Sequence, residues 1–292
     1  MIDDAAAAPT GGSGVRVRRA RPVVTPSGHW GERSVTALAA IFAILLGLPV
    51  LALVARSILD GSLQGALASP VVLQALWLSL VTTAASLVVT VALGLPLAFV
   101  LARRQFRGKG WVEAIVDLPI VLPPSVAGLA LLLVFGRRGL LAPPLEFLGI
   151  SVPFTTVAVV LAQIFVSAPF FVRSARTGIA AVDGDLEDAA RVDGASERQL
   201  FRSITVPLAS AALAAGLVMS WARALGEFGA TIMFAGNVEG RTQTLPLVVY
   251  AEFQGGDLDQ SIAAAAILVL AASGVLVAVR LLHWGRALDW RG

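Results

Sequence analysis

Long apolar runs separated by short polar stretches set the pattern of this chain. Hydropathy marks six runs, approximately 35–55, 73–101, 114–135, 154–172, 208–228 and 261–282. Each is close to the roughly 20 residues that carry an α-helix across a bilayer's hydrocarbon core. The second is long enough to tilt or protrude. The runs are apolar on nearly all sides, which argues against the period-two alternation of a membrane β-barrel. The pattern therefore predicts an all-α polytopic membrane protein with about six transmembrane helices, residues 35–292 forming the membrane domain. Residues 1–34, with GGSG followed by VRVRRAR, lack the apolar content to build a core and predict a disordered basic tail. The first apolar run is too long for a signal-peptide core, so it reads as an uncleaved span.

The polar stretches are not alike. Lys and Arg collect on alternate connections: Arg16, Arg18, Arg19, Arg21 and Arg33 before the first run, and Arg103, Arg104, Arg107 and Lys109 after the second. More follow the fourth run (Arg173, Arg176, Arg191, Arg198, Arg202) and the sixth (Arg280, Arg286, Arg291). The positive-inside rule then places both termini in the cytoplasm.

The connection after the fourth run, EDAARVDGASERQLFRSITVPL (187–208), carries its own helix signals. DLEDAARV (185–192) is rich in helix formers, has Asp183 or Asp185 available as N-cap, and holds its acids where the helix dipole favours them. Gly194 can take the positive φ that ends such a helix. Ser196 and Gln199 have the spacing of a capping box for a second helix, and Pro207 is expected to bend the chain into the next run. The product is a cytoplasmic helix–turn–helix knob, residues 185–206, whose small Ala189 and Ala190 permit close approach by another protein. An ordinary amphipathic surface loop has the same local features. DNA binding is disfavoured, because so short a tethered hairpin has no room for a recognition helix.

Two apolar runs are interrupted. DLPIVLPPS (117–125) puts Pro119, Pro123 and Pro124 inside the third run, so that helix must kink for packing or break against protein or water. In RALGEFGATIMF (223–234), Arg223 and Glu227 share a helical face and can pair. Gly226 and Gly229 bracket the pair and allow close packing or a break. Such a pair lines a polar path at membrane depth, or is simply solvated if the segment lies at the interface. Residues 242–253 fit a short helix or a hairpin dipping in from the outer side.

Composition sharpens the class. Hydrophobic residues make up 57% of the 292 and charged residues 14%, against about 25% charged in a soluble domain. With no cysteine and two histidines, both outside the runs, neither thiol chemistry nor a buried metal centre is expected. No Ser/His, paired-Asp or HExxH constellation falls within the runs, which disfavours a membrane enzyme. A self-contained secondary transporter would need intramembrane carboxylates, for which only Asp117 and Glu227 are candidates, and often related halves; no internal repeat is visible.

The knob resembles the EAA loop of binding-protein-dependent ABC importer permeases, whose pattern is E-A-A, three residues, G, nine residues, I-x-L-P. Here Asp188, Ala189, Ala190, Gly194, Ile204, Val206 and Pro207 occupy those positions, with Glu187 just before Asp188 as a second candidate carboxylate. LPIVLPPSVAGLALL, FGRRGLL, ARALGEFGATIMFAGN and GRTQTLPL further resemble the molybdate-type permease family, over residues 70–285; sulfate and tungstate permeases are the alternatives. The resemblance implies a type I importer fold and a dimer, most simply of two identical permeases. It also implies two cytoplasmic ATPase subunits gripping the knob and an extracytoplasmic oxyanion-binding protein. It implies no cofactor in this chain: ATP and Mg belong to the partner ATPase, and the chain has no GxxxxGK[ST] loop. The translocation path is expected to involve Ser125, Arg223, Gly226, Glu227, Gly229 and Thr231.

Overall fold

The computed structural model describes residues 29–288, with side chains described over 33–277. Among the described residues all regular elements are helical: α1 (His29–Leu59), α2 (Ser62–Ala68), α3 (Pro70–Arg103), α4 (Lys109–Val121), α5 (Pro124–Phe135), α6 (Ala142–Phe147) and α7 (Thr156–Ala180). There follow α8 (Gly184–Val192), α9 (Glu197–Leu200), a π turn (Phe201–Thr205), α10 (Val206–Leu225), α11 (Gly229–Phe234), α12 (Leu245–Gly255) and α13 (Leu258–Leu288). The chain divides into two compact units, 1–47 and 48–292. In the first, the described part is the opening of α1. The expected basic tail lies mostly outside the described residues, but its last six positions, 29–34, are already helical.

Among the described residues five helices are long and apolar enough to cross a membrane: Arg33–Leu59, Pro70–Arg103, Thr156–Ala180, Glu197–Leu225 and Leu258–Val277. The third expected run is the exception. Leu122 and Pro123 are extended (ψ 133° and 135°), so the run falls into α4 of 13 residues and α5 of 12. Proline pushes its preceding residue out of the helical region, and the second of two adjacent prolines suits a helix's first turn, so a break replaces a kink.

Other boundaries moved for reasons outside the local pattern. The fourth run continues to Ala180, past the expected end at 172. Arg173 and Arg176 therefore sit on a helix, where acids on α4 receive them: Arg176 Nη1 is 2.6 Å from Glu113 and Arg173 Nε is 3.6 Å from Asp117. At Pro207 the helix is not broken. It widens into the π turn, where the Val206 N–H reaches back to the Phe201 carbonyl, and continues as α10. Proline cannot donate to the preceding turn and its ring crowds the carbonyl four back; one widened turn relieves both. Residues 245–255 form a helix, with Pro246 in its first turn, rather than a hairpin.

α7 is the central element, packing along α3 on one side and α10 on the other. The face of α3 turned inward is polar but small: Ser79, Thr83, Ser86, Thr90 and Gly94 recur every three or four residues and are all buried. Small residues let helices approach closely in an apolar medium, where van der Waals contact rather than water exclusion holds them. A second core joins α2, the start of α3, α12 and α13 through Ala66, Val72, Leu245, Val248 and Ile267. A third joins α5, α7 and α11 through Leu131, Val159, Val166 and Phe234.

Candidate functional site

Two places combine special backbone with charge. The first is the knob. Asp183 is the N-cap of α8, its carboxylate accepting the Asp185 N–H at 3.0 Å. Gly194 stands at φ 87°, which lets the Ala195 N–H close on the Ala190 carbonyl at 2.9 Å and turns the chain sharply. Ser196 and Gln199 form the full capping box that starts α9. Arg191 staples the two helices, with Nη1 2.7 Å from Asp188 and Nε 2.8 Å from Glu197. The Glu197 carboxylate, with Asp188 adding to it, raises the Arg191 pKa above its already high ordinary value.

The two adjacent carboxylates point opposite ways. Glu187 is buried, 2.6 Å from Arg103 at the end of α3, and accepts the Thr205 hydroxyl at 2.8 Å. Asp188 is exposed beside Ala189, while Ala190 and Ile204 are half-buried and Pro207 is exposed. Leu186 and Val192, 51% and 87% exposed, extend the Ala189 side into an apolar strip. Of the expected docking residues, Glu187 therefore braces the knob from inside, and the strip around Ala189 is what the knob presents.

The second place is the junction after α10. The helix ends at Leu225 with Gly226 as its C-cap. The Glu227 side chain is 1% exposed, and one of its oxygens accepts the Ala230 N–H at 2.6 Å, capping the start of α11. Its other oxygen lies 2.6 Å from Arg223 Nη1, whose side chain is 30% exposed. The pair is thus largely buried rather than solvated at a surface. Gly229 packs under α5: a Cβ there would stand 2.7 Å from Pro124 Cβ and 3.2 Å from the Ser125 nitrogen. Ser125 itself is exposed, and Thr231 is fully buried with its hydroxyl unpartnered among the described residues. Five of the six expected path residues therefore lie on one break, 223–231, and Ser125 reaches it across the α5–α11 contact.

Sequence reasoning missed Gln163. Buried in α7, its amide nitrogen donates to the Thr83 hydroxyl and to the Ala224 carbonyl, both at 3.2 Å, and so ties α3 and α7 to the last turn of α10. A lone amide inside the apolar AVVLAQIFVS was the available signal.

The fold is a helical membrane bundle that extends a braced two-helix knob and interrupts a helix around a buried Arg–Glu pair, and its family and relatives make it the membrane subunit of a transporter rather than an enzyme. The chain belongs to the binding-protein-dependent transport system inner membrane components, whose family model matches residues 94–284. It is 44% identical over 205 residues to the molybdenum transport system permease protein ModB of Mycobacterium tuberculosis, covering 70% of this chain and 77% of that one. It is 37% identical over 247 residues to the probable transport system permease protein NifC of Clostridium pasteurianum, covering 84% and 85%. Among solved structures, a bacterial ABC transporter involved in alginate import matches with a TM-score of 0.69 at 18% identity, covering 87% of this chain and 94% of that one. That likeness concerns the fold alone.

Proposed function

We propose that this chain is the membrane-spanning half of an ATP-driven importer of a tetrahedral oxyanion, with molybdate as its substrate. It pairs with a second copy of itself, receives the anion from an extracytoplasmic binding protein, and is driven by two cytoplasmic ATPase subunits that bind ATP and Mg. The knob and both termini face the cytoplasm in this reading. The observation that carries it is the exposed strip of Leu186, Ala189 and Val192 on a module fastened from behind by the buried Glu187. Such a strip suits a partner's groove, and the family supplies the kind of partner. The molybdenum permease relative supports the choice of anion.

A secondary transporter fits less well. Its coupling ion would need a carboxylate free to bind it, whereas Asp117 and Glu227 each face an arginine. Reconstitution separates the readings. The chain in proteoliposomes with its ATPase and binding protein is expected to take up molybdate only with ATP, with tungstate competing more strongly than sulfate. Uptake by the chain alone, driven by an ion gradient, would overturn the proposal.

Within this reading the partly exposed Arg223 lowers the barrier to a dianion, and Glu227 keeps that site from becoming a trap. Arg223→Ala leaves a buried carboxylate without its cation, a change that costs about 3–5 kcal/mol where both partners are fully buried and less here because Arg223 is partly exposed. The expected outcome is molybdate uptake reduced by at least about tenfold in Arg223→Ala and Glu227→Gln. A melting curve and ATPase co-purification on the same samples check that the particle remains assembled. Wild-type uptake in both variants would remove the pair from the path.

A further inference from the structure

The side of α8 turned away from its exposed strip carries a single buried acid on which several segments converge. Arg103 Nη2, on the last residue of α3, lies 2.6 Å from Glu187 Oε1 and donates at 3.2 Å to the Val182 carbonyl in the link before α8. The same Glu187 oxygen accepts the Thr205 hydroxyl, from the π turn, at 2.8 Å. One turn back on α3, on the same face as Arg103, Phe99 meets Phe201 of the π turn edge-on at a centroid separation of 5.2 Å. α3, the 181–183 link, α8 and the π turn are thus fastened at one point. The pair is sheltered, at 21% exposure for Arg103 and 6% for Glu187. By contrast, the Arg191 pairs with Asp188 and Glu197 are exposed, and exposed pairs hold little.

Without this fastening α8 would hang between two flexible points. Residues 181–183 join it to α7, and the turn at Gly194 joins it to α9. A push on α8 would then be absorbed by rotation about those points. We propose that Arg103 and Glu187 are positioning residues that make α8, the π turn and the end of α3 one rigid block, so that force applied to α8 enters the bundle through α3 as well as through α10. α3 is well placed to pass it on, because its buried small-residue face lies along α7. This inference rests on the proposed ATPase coupling, but the geometry of the block can be tested apart from the substrate.

The chain has no cysteine, so spin labels can be placed on Arg104→Cys and Asp193→Cys, both exposed positions outside the strip, without background. In the assembled transporter the label separation is expected to be narrow and the same in the nucleotide-free and the ATP–vanadate-trapped states. Adding Arg103→Ala or Glu187→Gln should broaden it and make it respond to nucleotide. In proteoliposomes, molybdate transported per ATP hydrolysed should fall about fivefold in either single variant, and no further in the Arg103→Ala, Glu187→Gln double variant, because both remove one interaction. A wild-type separation that shifts with nucleotide would overturn the block. A coupling ratio unchanged in the variants would overturn its role in transmission. Absence of ATP-dependent uptake by the wild type would instead count against the transport reading, and the label distances would still decide the block.

Discussion

Gly194→Val is expected to strip the ATPase from the transporter while leaving the chain inserted in the membrane. Gly194 holds φ at 87°, and nothing lies within 4 Å of where its Cβ would be. The effect of a side chain there therefore comes from the backbone, not from a clash. A β-branched residue in the left-handed region costs about 1–3 kcal/mol. α8 has nine residues and α9 four, too short to hold their shape by helix propensity alone. The strained turn will open, the Ala195 N–H will leave the Ala190 carbonyl, and the Arg191 staple to Glu197 will part. The strip at Leu186, Ala189 and Val192 then loses its fixed direction. Gly194→Asn is the control, since asparagine tolerates this conformation far better, and it should keep most of the binding. Co-purification with a tagged ATPase, together with molybdate uptake, measures both. Undiminished co-purification of the valine variant would mean that the turn's conformation does not matter to docking.

That the knob could be read from the sequence at all follows from the range of the forces that shape it. Asp183, Ser196 with Gln199, and Gly194 each act on backbone groups within one helical turn, so their spacing in the chain is their spacing in space. The membrane spans were legible for a similar reason: hydrocarbon thickness fixes helix length irrespective of neighbours. The break at Leu122–Pro123 was half legible, because two prolines forbid a regular helix but packing decides between kink and rupture. What stayed hidden depends on partners far along the chain. Glu187 and Asp188 are equivalent as a sequence; only Arg103, 84 residues earlier, selects Glu187 as the one that turns inward. Arg173 and Arg176 looked like loop residues until Asp117 and Glu113 on α4 gave them a helical place to sit. The continuation through Pro207 needed a π turn, which hydropathy does not encode. Gln163 showed only as an oddity, since its meaning lies in the Thr83 hydroxyl and the Ala224 carbonyl, both far from it along the chain.

The expected path residues pose the same problem in another form. The sequence left open whether Gly229 serves close packing or a break; in the structure it is there for closeness, and Gly128 of α5 answers it from the other side. A Cβ on Gly128 would stand 2.7 Å from the Ala230 carbonyl oxygen, 2.7 Å from Met233 Cβ and 2.9 Å from Ala230 Cα. Two of those atoms are backbone, so a larger residue must move α11 itself. α11 has only six residues and is held by the Glu227 cap on Ala230. Gly128→Val is therefore expected to push α11 off α5, break that cap and leave the Glu227 carboxylate without its backbone donor. Overpacking of this kind costs about 1–3 kcal/mol, and the added loss of a buried hydrogen bond places the variant at the upper end of that range. Uptake should be abolished and the melting temperature of the solubilised particle lowered. ATPase binding should survive, because the knob lies at the opposite end of α10. Gly110→Val on α4, where no atom lies within 4 Å of the Cβ position, adds the same bulk and should leave uptake near wild type. If Gly128→Val transports molybdate normally, the close α5–α11 contact is not needed to hold the path; if it sheds the ATPase as well, the two ends of α10 do not act separately.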